Sequence, residues 1–138
     1  MFDKTEYKFD KKTATAELKK MLDYYEIDID EIEDKDLKRA ITQGYDRLIK
    51  AARMGRLKVN LENGIQVIQT LRNGTVITYE EISGTAKTEM AGKAPDDHYG
   101  KSYALMGSLS GLGEGAIKQL KGVDLSLAEV LGLIFLSV

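Results

Sequence analysis

Between Leu57 and Ile82 the chain twice sets Asn-Gly between short runs of apolar and polar residues, at Asn63-Gly64 and at Asn73-Gly74. Asn-Gly supplies the two positive-φ residues of a type I′ turn, whose twist matches that of paired strands. The runs between these turns are rich in Ile, Val, Thr and Tyr, so the pattern predicts a three-stranded antiparallel meander over residues 57–82. Two-residue loops pair 62 with 65 and 72 with 75. That register puts Leu57, Val59, Leu61, Ile68, Thr70, Ile77 and Tyr79 on one side, the expected core face. Ile65, Val67, Leu71 and Val76 then share the other side with Asn60, Glu62, Gln69, Thr78 and Glu80. A second face this apolar needs a cover, either the C-terminal helices or another chain.

Helical spacing brackets the meander on both sides. From Thr13, the residues Leu18, Met21, Leu22 and Tyr25 recur on one helix face, with Lys19 and Lys20 on another, and predict a helix ending near Tyr25. Upstream, Phe2, Tyr7 and Phe9 suit a short strand or a docked arm. Carboxylates at 28, 30, 31, 33, 34 and 36 surround Ile27, Ile29 and Ile32, the pattern of a solvated acidic turn whose isoleucines dock inward. Asp34 or Asp36 then caps a second helix, because a carboxylate there accepts free backbone amides at the positive end of the helix dipole. Leu37, Ile41, Tyr45, Leu48 and Ala52 mark the inner face of that helix. Lys50 and Arg53 suit its negative end, and Gly55 its left-handed termination.

Residues 83–97 mix Gly, Ala, Lys and Thr with the single proline and read as a flexible connection. Asp96 or Asp97 caps the next helix, which carries Tyr99, Tyr103, Leu105, Met106 and Leu109 and breaks at Gly111. A short helix with Ile117 and Leu120 ends at Gly122. Ser126 and Glu129 have the spacing of a capping box that opens a last helix through Leu131, Ile134 and Phe135. A chain of 138 residues suits one core. The expected fold is therefore a single α+β domain, with a helical hairpin over 1–55, a β-meander over 56–82, a flexible connection over 83–97 and short helices over 98–138.

Charge and residue types argue against most chemistry. A net charge of −2, with both signs mixed along the chain, leaves no general positive field to attract phosphates, so nucleic-acid binding is disfavoured. The absence of cysteine removes disulfides, thiolate metal sites and a cysteine nucleophile, and accords with a reducing cytoplasm. The charged start of the chain lacks the apolar core of a secretory signal, and the apolar run 125–138 is too short and interrupted for a membrane helix. An EF-hand loop counted from Asp28 fails at Glu33, where glycine is required. His98, beside Asp96 and Asp97, reads as a surface histidine, since neighbouring acids do not converge on one point. Gly107, Gly111, Gly113 and Gly115 lack the lysine-threonine ending of a phosphate loop and read as turn glycines. Tyr24 and Tyr25 read as packing residues, without the basic stripe of an RNA platform. Residues 102–136 also have the outline of a helix-turn-helix, though the last helix is apolar to its end. These readings point to a cytoplasmic protein-binding factor with no catalytic residue, cofactor or metal.

The phrases Tyr103-Ala104-Leu105-Met106-Gly107-Ser108-Leu109-Ser110-Gly111-Leu112, Ala116-Ile117-Lys118-Gln119-Leu120, Val123-Asp124-Leu125 and Phe135-Leu136 resemble the C-terminal half of Mu-like phage tail assembly chaperones. The resemblance implies a chaperone that coats the long helical tape-measure protein until tail-tube subunits polymerise around it. It asks for an exposed apolar groove, here expected from Ile65, Val67, Leu71 and Val76 on the sheet and Leu109, Leu112, Ile117, Leu120, Leu131 and Phe135 on the helices. The helix, Gly55 and Asn-Gly strands also resemble head-tail joining proteins of lambda-like phages. A virion assembly protein of that kind and a small helix-turn-helix DNA-binding regulator are the alternative expectations. Self-association into a homo-oligomer is open under each of them.

Overall fold

Asp10 accepts the Thr13 amide at 2.7 Å and so opens α1 (Lys11–Tyr24), two residues ahead of the expected start. The structure is a computed structural model that describes residues 7–138; Phe2 lies outside them. Asp34 takes the amides of Asp36 and Leu37, each at 3.1 Å, and opens α2 (Lys35–Arg53). The chain reverses between the two helices through Glu26, at φ 57°, and a 3-10 turn at Ile29–Glu31. Gly55, at φ 78°, follows the end of α2. Tyr7 and Phe9 belong to a docked arm. The amides of Lys8 and Phe9 donate to the Arg53 carbonyl at 2.7 and 3.0 Å, and the Arg53 guanidinium lies 3.7 Å from the centre of the Tyr7 ring.

The sheet is the expected antiparallel meander, β1 (Leu57–Asn60), β2 (Gln66–Thr70) and β3 (Val76–Tyr79), but its register differs by one residue. Val59 pairs with Val67 and Val67 with Tyr79; Leu57 pairs with Gln69 and Gln69 with Ile77. The cause lies in the turns. Gly64 and Gly74 adopt φ of 86° and 91°, whereas Asn63 and Asn73 are not in the positive region, so neither turn is type I′. The Leu71 carbonyl accepts the Gly74 amide at 2.9 Å and the Leu71 amide reaches the Thr75 carbonyl at 2.7 Å. This is a three-residue loop with glycine in its left-handed position. One more loop residue turns β2 over, because side chains alternate with period two. Ile65, Val67 and Gln69 therefore join Leu57, Val59, Ile77 and Tyr79 on the buried face, while Ile68 and Thr70 move to the open face with Lys58, Gln66 and Val76. The expected second apolar face does not form.

Both sheet edges are covered locally. The Val59 amide donates to the Glu17 carboxylate of α1 at 2.6 Å. Beyond β3, the Glu80 amide donates to the Leu109 carbonyl at 3.0 Å. Capture of these amides within the chain blunts an edge that could otherwise pair with another strand.

The segment expected as a flexible connection contains α3 (Gly84–Thr88), which Ser83 caps through the Ala86 amide at 3.2 Å and which buries Ala86. Asp97 caps α4 (His98–Ser110), and Gly111 ends it at φ 73°. After α5 (Glu114–Lys118), α6 runs from Gly122 to Phe135. It starts four residues before Ser126, so Ser126 and Glu129 lie inside the helix and form no capping box. Glu129 instead accepts the Tyr103 hydroxyl.

α6 packs between α2 and α4 and is buried almost all round, as its apolar composition requires. A side chain at Gly132 would place its Cβ 1.8 Å from Ser102 Oγ, and one at Gly44 would come within 2.4 Å of Val130. Glycine is therefore needed where α6 crosses each neighbour. α6 is enclosed by α2 and α4 along most of its length and is open only near its start, where Gly122 and Val123 are exposed.

Candidate protein-binding cleft

Three isoleucines of the acidic turn stop halfway between core and solvent. Ile27, Ile29 and Ile32 are each only partly buried, because the turn is too short and too charged to press them fully against α1 and α2. Between this turn, the connection from α3 to α4 and the end of α6 lies a cleft of about 810 Å³. Ile27, Ile32, Leu37, Met90 and Leu136 supply its apolar lining, and Glu26, Asp28, Glu31, Glu33 and Asp34 its acidic rim. Lys87, His98 and Lys101 stand among its other residues. An apolar floor edged by carboxylates is complementary to a segment with one apolar stripe and flanking cations.

Asp34 ties the cleft together. It caps α2 and its Oδ2 lies 3.2 Å from His98 Nε2, which joins the starts of α2 and α4. The Leu37 amide, followed by His98, the Asp36 amide and Lys101, holds the Asp34 carboxyl below the ordinary value of 3.8 against an opposing desolvation. His98 is thus paired across the fold with Asp34, on a helix distant in sequence from its neighbours Asp96 and Asp97. Tyr25, next to Glu26 in the chain, packs behind the cleft without lining it. Its hydroxyl accepts the Ile82 amide at 3.1 Å and its ring meets Phe135 edge-on at 5.5 Å. Burial pushes the Tyr25 phenol above its ordinary value of 10.0. Tyr24 lies outside it, donating to Glu81 Oε1 at 2.8 Å.

The residues expected to line a groove lie elsewhere. Ile65, Val67, Leu109, Ile117, Leu131 and Phe135 are buried in this chain's own core and offer no surface as they stand. Leu71 and Leu120 are half-buried against that core. Only Val76, 56% exposed, and Leu112, 55% exposed, are open, and they sit on β3 and in the turn after α4, away from the cleft's lining. The correction follows from the one-residue register shift for Ile65 and Val67, and from the enclosure of α6 for Leu131 and Phe135. The alternation of isoleucine with carboxylate over 27–32 was the legible signal for the cleft, but the docking of Met90 and Leu136 beside it depends on how α3 and α6 end.

No protein-family model, curated protein or solved structure matches the chain. Among the described residues no three His, Asp or Glu side chains cluster closely enough to hold a metal ion. No helix among them is long and apolar enough to cross a membrane.

Proposed function

We propose that this chain is a non-enzymatic protein-binding factor, acting in the cytoplasm, whose cleft holds an amphipathic basic segment of its partner. One observation carries the reading: the half-covered side chains of Ile27, Ile32, Met90 and Leu136 converge with five carboxylates on one cleft. Half-covered apolar surface rimmed by charge is what a binding groove presents before its partner arrives. With the resemblance of residues 103–136 to tail assembly chaperones, the partner becomes an amphipathic helix of a phage tape-measure protein. A chaperone of that kind holds such a helix soluble until tail-tube subunits assemble around it.

Co-expression with a tape-measure protein, followed by measurement of how much of it stays soluble and co-purifies, tests this. The wild-type chain is expected to keep it soluble. Met90→Lys removes an apolar floor contact and presents a cation to a basic partner, and is expected to lose co-purification while the variant itself stays folded. A Met90→Lys chain that retains the tape-measure protein fully would remove the cleft from the reading.

A further inference from the structure

Charge is not spread evenly along α2. Residues 26–36, which lead into the helix, carry Glu26, Asp28, Asp30, Glu31, Glu33, Asp34 and Asp36 against Lys35 alone. Residues 47–58, which end it and start β1, carry Arg47, Lys50, Arg53, Arg56 and Lys58 with no acid. The net charge of −2 conceals this separation. α2 holds the two groups apart by roughly 28 Å, the length of its 19 residues at about 1.5 Å each, so a single chain cannot bring them together.

The basic end is also shaped. A groove of about 560 Å³ lies between the end of α2 and the start of α6, with Ala51, Met54, Val123 and Leu127 as its apolar part and Arg47, Lys50 and Arg56 as its cations. Among the described residues none of these three cations has an ion-pair partner, and neither has Asp28, Asp30, Glu31 or Glu33. Arg72, close by, is already committed to Asp124 and the Lys121 carbonyl. The turn at the other end is a compact 3-10 loop whose carboxylates all face solvent around the half-buried Ile29.

We propose that copies of this chain associate head to tail, the acidic turn Asp28–Glu33 of one copy seated in the basic groove of the next. The choice of a second copy rests on charge complementarity. Among the described residues, the solvent-facing acidic turn and the basic groove each lack an ion-pair partner, and the length of α2 keeps them from neutralising each other internally. Such a contact is heterologous, so each copy keeps one free acidic end and one free basic end, and assembly proceeds to a ring or a filament. Its net charge near zero leaves little overall repulsion to oppose this, and the attraction is screened by salt. The contact shares Asp28, Glu31 and Glu33 with the rim of the cleft but does not use Met90 on its floor, so a neighbouring copy and the cleft's partner would meet the same carboxylates.

Sedimentation velocity of the full chain, over a concentration series in low and high salt, tests the proposal. The wild type is expected to form species larger than a dimer in low salt and to lose them in high salt. Arg47→Gln with Lys50→Gln, and separately Glu31→Gln with Glu33→Gln, should each stay monomeric with unchanged circular dichroism, since all four positions are exposed. An equimolar mixture of the two double variants should form one-to-one dimers and nothing larger, because each pair retains one native acidic end and one native groove. A wild type that remains monomeric in low salt, double variants that assemble as the wild type does, or a mixture without dimers would each overturn head-to-tail association. Met90→Lys should assemble like the wild type, which separates failure here from failure of the cleft.

Discussion

α6 and the acidic cleft both set apolar side chains beside carboxylates, yet they treat them in opposite ways. Along α6, Asp124 accepts the Arg72 amide at 3.1 Å and its Nε at 3.3 Å, and Glu129 accepts the Tyr103 hydroxyl. Buried Gln69 is satisfied twice, donating to the Asp124 carbonyl at 2.9 Å and accepting from Tyr79 at 2.8 Å. Leu127, Leu131 and Ile134 are wholly enclosed. In the cleft, Glu31 and Glu33 lack an ion-pair partner among the described residues, and Ile27 and Ile32 are half open. A region whose polar atoms are all partnered and whose space is filled contributes stability and cannot open to a partner without losing it. A half-covered region contributes less to folding, and its remaining surface is available for binding.

The largest test of this contrast is Val67→Glu. The substitution buries an unpaired carboxylate on the core face of β2, and it should cost about 3 to 5 kcal/mol in chemical denaturation. Wild-type stability in that variant would mean that the sheet face opens to solvent and that the register described above is wrong.

Next in size is Gly132→Ala. Its Cβ would meet Ser102 Cβ at 2.9 Å as well as Oγ, and α4 and α6 must separate, at a cost of about 1 to 3 kcal/mol. Gly115→Ala within α5 meets nothing within 4 Å and should stabilise by about 0.5 to 1 kcal/mol. Opposite signs for the same chemical change would locate the tight packing in α6, and equal signs would deny it.

Smaller still is the effect of Asp34. Its folded carboxyl lies below the ordinary 3.8, so its contribution is complete above that value and is lost as pH falls through the depressed folded value. Asp34→Asn keeps a capping oxygen and should flatten this part of the acid melting profile, whereas Asp34→Ala should also lower the melting temperature at neutral pH. An unchanged acid limb in Asp34→Asn would show that other carboxylates set it. Last, Met90→Lys should change stability by less than about 1 kcal/mol, its long stem covering the same surface. A larger loss in its thermal melt would make the cleft floor part of the core.

Local chemistry was legible wherever a short stretch decides its own conformation. Asp34, Asp97, Gly55 and Gly111 end helices through hydrogen bonds and dihedrals that involve only a few neighbours, so their roles follow from residue type and position. The order of helical hairpin, meander and short helices follows in the same way from periodicity. The start of α6 escaped because Ser126 and Glu129 have capping spacing, yet Tyr103, distant in sequence, occupies the Glu129 carboxylate.

What the sequence by itself determined, then, was the kind of every element except α3, which falls in the stretch expected as a flexible connection, several of their ends, and an α+β arrangement around an Asn-Gly meander. Which face of β2 is buried was decided only by tertiary structure. Val67 and Ile68 give that strand an apolar residue on either side, and Asn-Gly serves a two-residue or a three-residue loop, so pattern and turn chemistry were both degenerate. The buried answer is the one that lets Gln69 reach Tyr79 and Asp124 while Val67 packs beside Val59 and Tyr79. The cleft likewise needed the assembled chain, since Ile32, Met90 and Leu136 meet only after α2, α3 and α6 have packed. Contacts between distant residues carry no periodicity of their own, and they set which apolar side chains are left uncovered.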